Sequence, residues 1–198
     1  MTKKIFKKLN SLATVRTGLV LARKSTEDKT PYRYRLLTLR AVEEGGVINE
    51  TFLENYFATE KLNQDYVTQV GDIIVRLTMP YTAVLIDERT EKLVFSSNFA
   101  LIRTRREELL PEFLLCALNS QHARKQVYRN AMRNILGTIQ AQCLSELEIV
   151  LPPIEEQRKI AKFNALAQRE IQLLRQLIAA KEQFRTQLLE TMYNQFKD

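Results

Sequence analysis

From residue 154 to residue 196 apolar side chains recur at helical spacing with no proline or glycine to interrupt them. Ile160, Phe163, Ala167, Ile171, Leu174 and Ile178 follow 3-4 spacing, and Leu166, Leu173, Leu177, Ala180, Phe184, Leu188 and Met192 form a second row beside them. The positions between are filled by Gln, Arg, Lys, Glu and Ala, all good helix formers. Pro152 and Pro153 mark the start, and Glu155 and Glu156 put negative charge against the positive end of the helix dipole, as Lys197 suits the other end. A helix of this length is about 60 Å long at 1.5 Å per residue, more than a domain of this size is wide, so part of it is expected to project. Glu170 and Lys181 fall where a regular heptad has apolar residues, so the pattern is no plain leucine zipper. The stripe predicts an antiparallel or bundled partner helix, from a second copy or from another protein, with Ile160, Phe163, Ile171, Leu174, Leu177, Phe184 and Leu188 at the interface.

Before the helix the pattern is shorter and mixed. Residues 1–11 are a short amphipathic lead-in, with Lys3, Lys4, Lys7 and Lys8 around Ile5, Phe6 and Leu9. Residues 12–18 read as a strand closed by Gly18, and residues 23–31 as an exposed loop carrying Arg23, Lys24 and Lys29. Residues 32–40 alternate with period two, Tyr32 and Tyr34 on one face and Arg33 and Arg35 on the other. Aromatic and Arg side chains interleaved in this way suit nucleic acid, and they equally suit an edge strand with snorkelling arginines. Glu43-Glu44-Gly45-Gly46 turns the chain, residues 66–70 resume an extended segment, and Gly71-Asp72 leads into a buried strand at 73–77. Residues 78–82 interrupt the sheet before 83–87 continue it. Residues 93–103 read as one further strand, kinked by Ser96-Ser97-Asn98 at a bulge or contact surface. Residues 112–131 read as one helix burying Phe113, Leu114, Ala117, Leu118, Val127 and Tyr128. A loop at 134–141 and a last strand at 144–151 follow. The fold class is therefore α+β: a mixed domain of short strands over residues 1–151, then the long helix over residues 152–198.

Charge sharpens this picture. The formal net charge is +7, and residues 1–151 hold 22 Lys and Arg against 17 Asp and Glu. Arg124, Lys125, Arg129 and Arg133 lie in a stretch without a single acid, a pattern that fits phosphate and also fits a solvated basic face. Cys116 and Cys143 are too few for a disulfide framework, and Cys116 sits in an apolar run as a buried thiol would. The lone His122 has no paired ligand spacing, so no metal or other cofactor is expected. No charged leader precedes an apolar stretch and no apolar run is long enough for a bilayer, which predicts a cytoplasmic protein away from membranes.

Catalytic motifs are absent: no G-x-S-x-G elbow, no G-x-x-x-x-G-K-[ST] loop and no G-x-G-x-x-G after a strand. The triplet Glu27-Asp28-Lys29 lies in a loop without a preceding acid, so a metal-dependent nuclease centre is unsupported. The sequence argues for a binder and against an enzyme. Its other reading, from a different class, is a coiled-coil scaffold whose basic surface meets an acidic protein.

The order of parts resembles a known family. Gly71-Asp72-Ile73-Ile74 is followed by Ser97-Asn98-Phe99-Ala100-Leu101-Ile102-Arg103, then Pro111-Glu112-Phe113-Leu114, Leu118-Asn119-Ser120 and Leu136-Gly137-Thr138-Ile139. Leu151-Pro152-Pro153-Ile154-Glu155-Glu156-Gln157 then enters the long helix. This is similar to the DNA-specificity (S) subunits of type I restriction-modification systems, and the likeness runs over nearly the whole chain. It implies a target recognition domain that reads a short half-site of double-stranded DNA, and a spacer helix that pairs with a second helix and docks methyltransferase subunits. Members usually carry two such sets; this sequence has one, so it looks like a half-subunit working as a homodimer or with a second specificity chain. On that footing Arg124, Lys125, Arg129 and Arg133 are expected on phosphates, and Arg23, Arg76, Tyr81 and Asn98 on bases, with Lys24 and Arg33 completing the DNA-binding set.

Overall fold

The computed structural model describes residues 5–26, 30–43, 45–105, 108–132 and 137–196. Lys3, Lys4, Glu27, Asp28, Lys29, Glu44, Arg133, Asn134, Leu136 and Lys197 lie outside the described residues. Two compact units divide the chain, Met1–Arg158 and Lys159–Asp198.

In the first unit β1 (Phe6–Lys8) leads through a single helical turn, α1 (Leu9–Leu12), into β2 (Ala13–Thr17). Strands β3 (Arg33–Leu37), β4 (Glu54–Phe57), β5 (Ile73–Arg76), β6 (Ala83–Leu85), β7 (Leu93–Phe95) and β8 (Phe99–Thr104) follow, joined by loops and short 3-10 turns. Helices α2 (Pro111–Asn119), α3 (Gln121–Ala131) and α4 (Ala141–Ser145) come next, then β9 (Glu148–Val150) and the long α5 (Ile154–Asn194). The strands form a pair, β1-β9, a four-stranded sheet in the order β2-β8-β5-β6, and a three-stranded sheet in the order β4-β3-β7.

The uninterrupted apolar run at 73–75 follows from this layering. Ile73 and Val75 belong to the cluster that includes Phe113, Leu114, Leu118 and Val127 of the helices, while Ile74 belongs to the one holding Leu37 and Phe95 of the three-stranded sheet. A strand covered on both faces has no polar side to alternate with. Full burial of a Val, Leu, Ile or Phe side chain stabilises by about 1.5–3 kcal/mol, and Ile73, Ile74, Phe95 and Phe99 are among the fully buried ones.

Four expectations are corrected. Residues 93–103 are two strands in different sheets, for β7 pairs in parallel with β3 whereas β8 runs antiparallel between β2 and β5. Ser96-Ser97-Asn98 is the place where the chain changes sheets. β3 is the central strand of its sheet, flanked by β4 and β7, so it is no edge strand. The helix expected over 112–131 is two helices: Ser120 leaves helical geometry, its backbone at φ −68° and ψ 153°, and its side chain accepts the Ala123 N–H at 3.2 Å to start α3. Tyr128 is accordingly 39% exposed. The segment read as loop and then strand contains α4, and the last strand is shorter than expected, starting at Glu148.

The second unit is helix. Gln157, in the first turn of α5, is buried, whereas the stripe from Ile160 onward is open, from 42% for Ile160 to 75% for Phe163 among the seven interface candidates. No described helix is long and apolar enough to cross a membrane.

Candidate nucleic-acid interface

One edge of the first unit is built from loop segments that hold one another. At the end of β5 the Leu77 N–H donates to the Asn98 carbonyl at 2.8 Å, and the Leu77 carbonyl accepts from Ile139 N–H at 2.9 Å. Thr78 and Thr138 form an isolated antiparallel bridge. On the other side of Asn98, Ser97 N–H donates to the Leu19 carbonyl at 2.7 Å and Leu19 bridges Ser96. The close approach there requires Gly18, because a Cβ at that position would lie 2.3 Å from the Ser96 carbonyl oxygen and 2.5 Å from that of Phe95. From Leu19 the chain runs directly into the 3-10 turn Leu21–Arg23. Arg23, Arg76, Tyr81 and Asn98, separated by up to 75 positions in sequence, thus stand on adjoining segments.

Their surroundings differ. Arg23 and Asn98 are exposed. Arg76 is half-buried; its guanidinium donates to the Val42 carbonyl at 3.4 Å and to the Met79 carbonyl at 3.3 Å, while Nε is buried without a partner. Tyr81 is 5% exposed and faces inward, so it does not offer its hydroxyl to a ligand as expected. The phenol donates to the Gly137 carbonyl at 2.5 Å, and its ring meets Tyr128 edge-on, centroids 5.3 Å apart. Burial, and after it Tyr128, push the phenol above its ordinary range, which keeps the donated proton in place.

The basic helix α3 reaches the same edge through Tyr128. Lys125 and Arg129, one turn apart, are exposed; Arg124 is half-buried with Nε enclosed and unpaired. Arg133 lies outside the described residues. Lys24 and Arg33 are engaged elsewhere: Lys24 forms an ion pair with Glu60, whose hydrogen bond and charge raise the ammonium above its ordinary range. Arg33 donates twice to Asn55 Oδ1, at 2.9 and 3.2 Å, with its guanidinium 6.0 Å from the centre of the Phe57 ring.

Two further side chains hold the four-stranded sheet, one at the far end of β5 and β8 and one beside this edge. Asp72, 2% exposed, is gripped by Arg103 through two bonds of 2.7 Å. Asn119 finishes the outer edge of β6 as a strand would, accepting the Ala83 N–H at 3.2 Å and donating to its carbonyl at 3.1 Å. Both residues stand within the stretches quoted for the family likeness, and Asp72 also in the turn read before the buried strand, but nothing local marked their partners. Among the described residues no group of His, Cys, Asp and Glu could hold a metal ion. The arrangement offers cations and a carboxamide on a braced loop edge, donors suited to phosphates and base edges.

The family model described as "Type I restriction modification DNA specificity domain" matches residues 2–183. In fold the chain is similar to the crystal structure of the HsdS subunit from Thermoanaerobacter tengcongensis, with 23% identity and a TM-score of 0.66 over 96% of this chain and 48% of that one. A structure of the type I R-M system, concerned with its complex assembly and conformational transition, gives 23% identity, the same coverage and a TM-score of 0.68. The type I restriction-modification S subunit from M. genitalium gives 11% identity and 0.54, over 90% of this chain and 42% of that one. The chain spans about half the length of these solved structures. No curated protein matches it.

Proposed function

Because the chain belongs to the type I restriction-modification DNA specificity family, we propose that it reads a short half-site of double-stranded DNA and carries that specificity to DNA methyltransferase subunits, without a catalytic centre of its own. In this reading residues 1–151 are the target recognition domain and residues 152–198 the spacer helix. Lys125, Arg129 and Arg124 meet phosphates and set orientation. Arg23, Asn98 and the outward part of Arg76 meet base edges, where Arg suits guanine and Asn suits adenine. Tyr81 braces the loop from behind.

The observation that carries this reading is the joining of Arg23, Arg76 and Asn98 on adjoining loop segments next to the basic face of α3. The open stripe of α5 supports helix pairing: two copies about a two-fold axis, or one copy with a second specificity chain, would cover both stripes and hold two recognition domains at a fixed spacing. The same stripe is what a coiled-coil scaffold would need. A titration of labelled mixed-sequence duplex against the chain, repeated over a range of salt, separates the two. A recognition domain binds with an affinity that falls steeply as salt rises; absence of binding even at low salt overturns the DNA reading and leaves the scaffold.

A further inference from the structure

Met79 stands at the tip of a braced turn on this edge. The residue is 61% exposed, although hydrogen bonds hold the turn that carries it. Tyr81 N–H donates to the Thr78 carbonyl at 2.9 Å and closes the turn. Arg76 donates to the carbonyl of Met79 itself, and the Tyr81 phenol fastens the far end to Gly137. Tyr81 is held at φ 55°, a left-handed conformation unfavourable for a non-glycine residue, and the contacts of its ring and hydroxyl are what retain it there. Met132, 88% exposed, lies one turn beyond Tyr128, the residue against which Tyr81 packs. Exposure alone would mean little, but a hydrogen-bonded turn next to Arg76 and Asn98 fixes where this apolar side chain stands.

A duplex offers little apolar surface in its major groove besides the C5-methyl group of thymine. We propose that Met79 is a specificity-determining residue that packs against one thymine methyl within the recognised half-site. This rests on the reading of the chain as a DNA specificity domain. The thioether chain is unbranched and adapts its rotamers to a small apolar target, while the turn fixes where that target must be. Arg76, which precedes Leu77, and Asn98, whose carbonyl accepts the Leu77 N–H, supply the polar contacts that set the register.

The test uses the full chain. Duplexes are selected from a random pool, and each thymine of the recovered site is replaced in turn by deoxyuridine, which lacks the methyl and nothing else. The expected result is one position at which deoxyuridine weakens binding about four-fold, as loss of one buried methyl contact does. In Met79→Ala the thymine and deoxyuridine duplexes should bind alike at that position, and Met79→Leu should retain the preference. The ratio of two duplexes on one protein sample is insensitive to partial misfolding of a variant. A site without thymine, a wild-type chain indifferent to every replacement, or full discrimination by Met79→Ala would each overturn the proposal while leaving DNA recognition standing. An apolar wedge between base steps would give indifference to the methyl. Failure to recover any duplex above background would overturn the specificity reading itself, and this proposal with it.

Discussion

Gln157 Oε1 accepts the main-chain N–H of Leu110 at 3.0 Å, across 47 positions of sequence, and so ties the first turn of α5 to the residue that caps α2. Its Nε2 donates to the carbonyls of Glu108 at 2.8 Å and Pro152 at 2.9 Å. The side chain is 1% exposed. A carboxamide carries an acceptor and two donors on one planar group, which is what three main-chain groups at a buried corner require. The Gln of Leu-Pro-Pro-Ile-Glu-Glu-Gln is thereby explained: it is a structural joint at the entry to the long helix.

Replacing Gln157 by Leu should therefore lower stability by about 3 kcal/mol or more, since each of the three buried main-chain groups left without this partner costs about 1–3 kcal/mol. Gln157→Glu should be no milder, because it removes both donors and sets a carboxylate against two carbonyls. Urea denaturation followed by circular dichroism measures both; a loss under about 0.5 kcal/mol would show that water replaces the side chain freely.

The Asp72–Arg103 pair makes a second prediction. Asp72 also accepts the Gln69 N–H at 2.8 Å, so the carboxylate fixes the turn before β5 and meets β8 at once. The hydrogen bond to Asp72, more than anything else, raises the Arg103 guanidinium above its ordinary range. Asp72→Asn leaves Arg103 facing a neutral group and should cost about 3 kcal/mol, as breaking buried ion pairs does. Arg103→Met should cost a similar amount, and the double variant clearly less than the sum. Additive losses in the denaturation cycle would mean that the two residues act separately.

Acid should act through Asp87. Its partial burial raises the carboxyl pKa, but the Thr90 hydroxyl at 2.7 Å, the N–H groups of Thr90 and Arg89, and the Arg89 charge outweigh that and lower it below the ordinary 3.8. A lowered pKa gives stability that is present above the unfolded value and is lost as pH falls through the folded one, so the effect lies below about pH 4. The side chain is 52% exposed, which keeps the contribution under about 1 kcal/mol. Wild type and Asp87→Asn should differ slightly at pH 6 and converge as acidification passes below the ordinary carboxyl range in thermal melts; a gap that widens on acidification contradicts this sign.

How much of this was legible depended on range. The long helix could be read because 3-4 spacing and the lack of proline and glycine are local, and β5 because a strand covered on both faces has only apolar positions to show. Ser120 also carried its signal, a capping residue inside a helical pattern, yet apolar periodicity on both sides concealed the break. The crossing at Ser96-Ser97-Asn98 could not be read, for the parallel pairing of Leu36 with Val94 is fixed by partners some 58 positions away. Likewise the types Arg76 and Tyr81 pointed to a polar loop edge, but nothing local told that one would turn onto the Met79 carbonyl and the other inward to Gly137.

Electrostatic contacts on α3 can be separated from base reading. Lys125 and Arg129 are exposed, whereas Arg124 is half-buried and its substitution would disturb packing as well. Lys125→Glu with Arg129→Glu should weaken binding to all duplexes alike and flatten the slope of log affinity against log salt by about one unit per lost phosphate contact. Asn98→Ala should leave the slope and relax the preference at one base pair. An unchanged slope in the charge-reversed chain would remove α3 from the interface.

The stripe on α5 can be tested apart from the recognition domain, because its residues contribute little to the fold of a single chain. Phe163 is 75% exposed and Leu177 is 52% exposed, so Phe163→Glu and Leu177→Glu should leave the thermal midpoint of the dilute chain unchanged. In a paired helix the same positions would be covered, each burial stabilising the assembly by about 1.5–3 kcal/mol, and a charge placed there would oppose association further. Sedimentation should show a two-chain species for the unaltered chain at micromolar concentration, and dissociation at least about 100-fold more favourable for the double variant, equivalent to some 3 kcal/mol. An unaltered chain that stays single at all concentrations would exclude self-pairing and direct the search to a second specificity chain or a methyltransferase helix. If the substitutions instead lowered the midpoint of the isolated chain by several degrees, the stripe would be covered within one molecule, contrary to its exposure here.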